Sequence, residues 1–79
     1  MMKEEEIKEQ LMASSADFRR LAEEHHRYEG KLKELNGRHH MSAQDHLEET
    51  NLKKRKLHLK DQMNSMIARL KEELRHQPT

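Results

Sequence analysis

An all-α fold, an antiparallel hairpin of two long helices, is predicted by three features of the sequence. Each half carries apolar residues at alternating spacings of four and three. A single helix-stopping segment, NGRHHMSAQD, separates the halves. The half before Leu52 is acidic and the half from Leu52 onward is basic, so the two attract when laid side by side.

The first helix is expected from about Lys3 to Leu35. Ile7, Leu11, Ser14, Phe18, Leu21, His25, Tyr28, Leu32 and Leu35 are spaced 4, 3, 4, 3, 4, 3, 4, 3. That is the a/d rhythm of a coiled-coil seam, with Ser14 and His25 as its polar members. The residues between are mostly Glu, Lys, Arg and Gln, which are good helix formers. No stretch alternates with period two, so a strand reading fails.

Asn36-Gly37 stops this helix, because Gly accepts the left-handed conformation that closes many helices. The turn spans about 36–41. Ser42 followed by Asp45 has capping-box spacing, with Asp where Glu or Gln is more usual, and opens a second helix over about 42–75. Its stripe is Leu52, Lys56, Leu59, Met63, Met66, Leu70 and Leu74, with Ile67 alongside and Pro78 beyond the end. Long helices joined by a short turn lie antiparallel.

One register satisfies both stripes. Pairing residues whose numbers add to 84 sets each a position of one helix against a d position of the other. The layers are then Leu32 with Leu52, Tyr28 with Lys56, His25 with Leu59, Leu21 with Met63, Phe18 with Met66, and Ser14 with Leu70. Charge favours the same arrangement: residues 1–51 hold 8 Lys/Arg against 12 Asp/Glu, and residues 52–79 hold 8 against 3. Each exposed pair contributes only about 0–1 kcal/mol. Leu47, Leu57, Ile67 and Leu74 widen the apolar surface beyond a two-helix seam. A homo-oligomer, a dimer or higher with a four-helix core, is therefore expected.

Composition sets the outer limits. The 79 residues suffice for one domain, 1–79. Apolar residues make up 32% and charged residues 39%, a ratio close to that of disordered chains, so it is the order of the residues that argues for helix. The formal net charge of +1 gives no bulk attraction to nucleic acid or membrane. With no cysteine, disulfide and thiolate chemistry are out of reach. The acidic start MMKEEEIKEQLM has no apolar stretch of the signal-peptide kind, and no run approaches the roughly 20 apolar residues of a membrane span. The expected location is cytoplasmic, with no membrane partner.

Chemistry-bearing residues are few. Seven histidines invite a metal, but His25-His26 and His39-His40 are adjacent pairs, and neighbours on a helix do not face each other. His39, His40 and His46 could approach one another near the turn, yet nothing completes a defined ligand set, so no metal and no cofactor are expected. Ser14, Ser15, Ser42 and Ser65 lack a nucleophile context, and a two-helix hairpin offers no cavity that excludes water. The expectation is that the chain is not an enzyme. Met63 and Met66, at helical spacing, read as core filler rather than as an adaptable groove.

The densest charge run is KKRKLHLK, residues 53–60. It reads either as a basic patch for nucleic acid or as a solvated face pairing with the glutamates of the first helix. Lys56 lies in the stripe, where its stem packs and its ammonium escapes to water. Leu57 stands alone among lysines, poorly placed for the seam, either as an oligomer contact or as a tolerated surface leucine.

Two strings carry a resemblance. One is Phe18-x-x-Leu21-x-x-x-His25, continuing through Tyr28 to Leu32; the other is KKRKLHLKDQM, residues 53–63. Together they resemble the YdcH-like family of short bacterial proteins of uncharacterised function, over about residues 15–70. Tyr28 and Leu32 depart mildly from that family's usual leucine and isoleucine. The resemblance implies a self-associating helical hairpin in a bacterial cytoplasm, and no reaction. It also marks His25, Lys56, Leu57, Lys60 and Asp61 as family-typical. The seam accounts for His25 and Lys56 alone, which points to a partner surface at the others.

The reading is thus an interaction module that self-associates through the stripe of Leu11, Phe18, Leu21, His25, Tyr28, Leu32, Leu52, Leu59, Met63, Met66 and Leu70. A protein partner would bind the surface of Lys53, Lys54, Leu57, Lys60 and Asp61. The alternative is an RNA- or DNA-associated regulator using Lys53, Lys54, Arg55 and Lys60.

Overall fold

The computed structural model describes residues 3–76. The chain is all-α, and among the described residues it forms three helices: α1 (Glu4–Ser14), α2 (Ala16–Asn36) and α3 (Ala43–Arg75). They make a rod of 58 × 20 × 17 Å. Pro78, expected beyond the last helix, lies outside the described residues.

The first helix is not continuous as expected over 3–35; it breaks at Ser15. Ser15 is extended (φ −118°, ψ 113°) and its hydroxyl accepts the backbone N–H of Phe18 at 3.1 Å. Ser15 thereby caps a new helix, a role in which a serine contributes about 1 kcal/mol over alanine. Asp17 then sits in the first turn, where a negative charge suits the helix dipole. On the other side of the break, Ser14 was expected in the seam opposite Leu70. It is exposed instead, and its hydroxyl donates to the Gln10 carbonyl at 2.7 Å. Arg19 reaches back from α2 and donates to the Met12 and Ala13 carbonyls at 2.8 and 3.3 Å, covering the end of α1. The Ser15 hydroxyl offers the backbone a local partner outside the helical ladder, and the packing of α1 against α3 favours that break over an uninterrupted heptad.

The turn differs in one detail from expectation. Gly37 is not left-handed; it lies at φ −82°, ψ −8°, and its N–H donates to the Lys33 carbonyl at 3.0 Å. A Cβ there would stand 3.3 Å from that carbonyl oxygen, so glycine suits a tight right-handed closure. Beyond the turn, Ser42 and Asp45 form a full capping box. The Asp45 N–H donates to the Ser42 hydroxyl at 3.0 Å, and the Ser42 N–H donates to the Asp45 carboxylate at 3.1 Å. Arg38 also pairs with Asp45 at 2.9 Å, tying the turn to the start of α3.

α2 and α3 run in opposite senses. The start of α2 meets the end of α3 in a cluster of Ile7, Leu11, Phe18 and Ile67, with Met63, Met66, Leu70 and Leu74 packed against it. The end of α2 meets the start of α3 in a second cluster of Leu32, Leu35 and Leu52, flanked by Tyr28 and Met41. Between the clusters Leu59 is buried, while Leu21 and His25 are half-buried. The Nε2 of His25 has no hydrogen-bond partner among the described residues.

Ile67 corrects the sequence reading. It was expected to widen the exposed apolar surface, yet it is 5% exposed, enclosed with Ile7 and Leu11 of α1. Leu74, expected to do the same, is half-buried against that cluster. The extra helix gives these residues a partner within the chain. The large apolar side chains left exposed among the described residues are Met12, Leu47 and Leu57.

Candidate functional site

The flank of α2 and α3 carries an open groove of about 620 Å³. α2 contributes Glu29, Leu32, Lys33 and Asn36; α3 contributes Lys53, Lys56, Leu57 and Lys60. Helix geometry assembles it. Lys53, Lys56, Leu57 and Lys60 recur at spacings of three and four, so they share one side of α3. Glu29 and Lys33 are four apart on the facing side of α2. The result is four ammonium groups around two leucines. Leu57, 58% exposed, stands among the lysines, while Leu32 is buried beneath them.

Two of the four lysines are engaged. Lys56 reaches across from α3 to Glu29 at 3.3 Å, and Lys53 pairs along its own helix with Glu49 at 3.7 Å. Lys33 and Lys60 have no ion pair among the described residues, so the groove presents them as unsatisfied cations. The Lys56 hydrogen bond and charge hold the Glu29 carboxyl below its ordinary range, and His25, with Nδ1 3.9 Å away, adds to the effect.

The residues proposed from sequence separate here. Lys53, Leu57 and Lys60 meet in the groove. Lys54 instead lines a smaller groove on the opposite flank, about 360 Å³, with Glu24, Tyr28, Arg55, His58 and Leu59. Asp61 is exposed and belongs to neither. Sequence reasoning missed Lys33, Asn36 and Glu29. A usable signal existed: Glu29 lies one step past the seam residue Tyr28, beside the stripe's Lys56, and charges flanking a coiled-coil seam pair.

Of the remaining candidates, His39 and His40 stack edge to face with ring centres 5.1 Å apart. No group of three or more His, Asp or Glu able to hold a metal occurs among the described residues. No helix of the described residues is long and apolar enough to cross a membrane.

Two carboxylates give the structure a predictable acid response. Asp45 is held below its ordinary value, first by the Ser42 backbone N–H and then by Arg38 and the Ser42 hydroxyl. Glu29 is held down by Lys56. A carboxyl depressed by folding stabilises the fold above its unfolded pKa, and that contribution is lost as pH falls through the lower folded value. Thermal melts should therefore fall more steeply for the wild type than for Glu29→Gln or Asp45→Ala below about pH 4, near the unfolded carboxylate values. Curves that stay parallel down to about pH 2 would show that neither contact matters to folding.

No curated protein and no solved structure matches the chain. A family described as "Protein of unknown function (DUF465)" matches residues 18–67, from Phe18 at the start of α2 to Ile67 in the core of α3. The match takes in both sides of the lysine groove and leaves α1 outside it. The chain belongs to this family, which includes the YdcH-like proteins.

Proposed function

We propose that this protein is a non-catalytic interaction module. The groove between α2 and α3 docks an acidic helical segment of a protein partner that carries an apolar side chain. One observation carries this reading: Leu57 stands 58% exposed among Lys33, Lys53, Lys56 and Lys60, contributed by two helices. An exposed leucine among four lysines, with the groove's one carboxylate, Glu29, already paired to Lys56, suits a ligand with a carboxylate rim and an apolar centre. Burying that leucine stabilises a complex by about 1.5–3 kcal/mol, and the charges speed and orient the encounter.

Nucleic acid fits this groove less well. It contains no aromatic ring on which a base could stack, since Tyr28 lines the opposite flank. Salt separates the two readings, because phosphate-driven binding weakens steeply with ionic strength.

Fluorescence anisotropy tests the proposal with two probes, a synthetic acidic amphipathic helix bearing leucines on one face and a single-stranded oligonucleotide. The peptide should bind the wild type and lose affinity with salt less steeply than a strand held through many phosphates would. Leu57→Asp should weaken it by about tenfold or more, the equivalent of about 1.4 kcal/mol. Tight, salt-sensitive oligonucleotide binding with no peptide binding would overturn the reading.

A further inference from the structure

Resting on the reading of the lysine groove as a docking site, we infer that its occupant in a solution of the pure protein is the α1 helix of a second copy. α1 buries Ile7 and Leu11 against its own chain. At 100° per residue, Glu5, Glu9 and Met12 then fall on the opposite face. All three are exposed, Met12 by 42%, and neither glutamate has an ion pair among the described residues. That outer face is an apolar side chain with carboxylates on its N-terminal side. The groove is an apolar side chain, Leu57, with ammonium groups around it, two of them unpaired. The two patches match in shape of chemistry and oppose in sign. They also account for two of the large apolar side chains left exposed among the described residues.

The pairing is between copies rather than within one. α1 is fixed to the cluster around Ile67, and ten residues of α3 separate Ile67 from Leu57, a rise of about 15 Å. A chain cannot release Ile7 and Leu11 to fill its own groove without exposing them. Two rods related by a two-fold axis can each offer α1 to the other's groove. Such an exchange is isologous, uses both patches twice and closes at two copies. The contact depends on opposite charges at an exposed surface, so salt weakens it.

Charge reversal with rescue tests the inference by sedimentation equilibrium, with circular dichroism confirming that each variant remains helical. The wild type should sediment at low salt as a reversible dimer, twice the 9.5 kDa chain mass, and shift toward monomer at high salt. Glu5→Lys/Glu9→Lys and Lys33→Glu/Lys60→Glu should each weaken association by at least about tenfold. Mixing the two variants should restore both contacts, since in the mixed pair each α1 again faces a groove of opposite charge, and so recover a dimer. A wild type that stays monomeric overturns the inference; if it still binds the acidic probe peptide, the groove reading survives without it. A dimer broken by the groove variant but not by the α1 variant, or not recovered on mixing, likewise shows a different occupant.

Discussion

Phe18→Ala is expected to cost about 3–5 kcal/mol of folding stability, the range for removing a buried aromatic ring. Phe18 is 1% exposed and is one of the two most completely buried side chains. It joins all three helices: it follows the Ser15 cap at the start of α2, and it shares a cluster with Ile7 and Leu11 of α1 and Ile67 of α3. Removing the ring leaves a void that rigid helices close only in part. A chain of this size is stabilised by roughly 5–10 kcal/mol in total, so the loss takes up much of the margin. Urea denaturation at fixed protein concentration measures it as a lower midpoint at unchanged slope. Leu47→Ala provides the contrast. Leu47 is exposed, and its removal should move stability by no more than about 0.5 kcal/mol. Equal effects of the two substitutions would mean that the cluster around Phe18 does not hold the fold.

The parts of the fold legible from sequence were those governed by repeated spacing. The rhythm through Phe18, Leu32, Leu52 and Leu59 picks out residues that are buried. A helix face is set by many residues at once, so one polar member such as His25 does not hide it. The Ser42–Asp45 capping box was readable for a different reason: its two side chains serve each other's backbone groups over three residues, with no help from tertiary contacts. The break at Ser15 was not read. A serine inside a good heptad is ambiguous, since it can occupy a seam position or cap a new helix. The choice fell to tertiary contacts, namely the Arg19 hydrogen bonds back to α1 and the burial of Ile7 against the far end of α3. Ile67 was misplaced for the same reason, because its partner helix was not recognised as separate.

The groove was half legible. Leu57 stood out because a leucine among lysines conflicts with the seam, and conflicts of that kind mark places where a sequence serves something besides folding. Lys53 came with it from the charge run and Lys60 from the family resemblance, and both share its side of α3. Lys54 was grouped with them from the charge run and Asp61 from the family resemblance, whereas each 100° step along a helix carries neighbours to different flanks. The α2 contributors, Glu29, Lys33 and Asn36, required the register to be carried outward from the seam to its flanks.

The placement of α1 makes the second large prediction. Ile7 and Ile67 are 1% and 5% exposed and belong to one cluster, though sixty residues apart in sequence. Ile7→Ala and Ile67→Ala should each cost about 2–5 kcal/mol. Their effects should not add. Once Ile7 is cut back, α1 loses hold of the cluster, and Ile67 then loses less on truncation because part of its cover has already gone. The double variant should therefore be less destabilised than the sum of the singles, with a coupling of about 0.5–3 kcal/mol. Ile7→Ala paired with Leu52→Ala supplies the reference. Leu52 sits in the other cluster, beyond the stretch containing His25 and Lys56, so those two losses should add within about 0.5 kcal/mol. If Ile7 and Ile67 behaved as additively as Ile7 and Leu52, α1 would not pack on α3, and the three-helix arrangement would fail. Coupling confined to the first pair would establish that the acidic first helix is part of the folded core. Its outer face of Glu5, Glu9 and Met12 would then be held rigidly enough to serve as a docking surface.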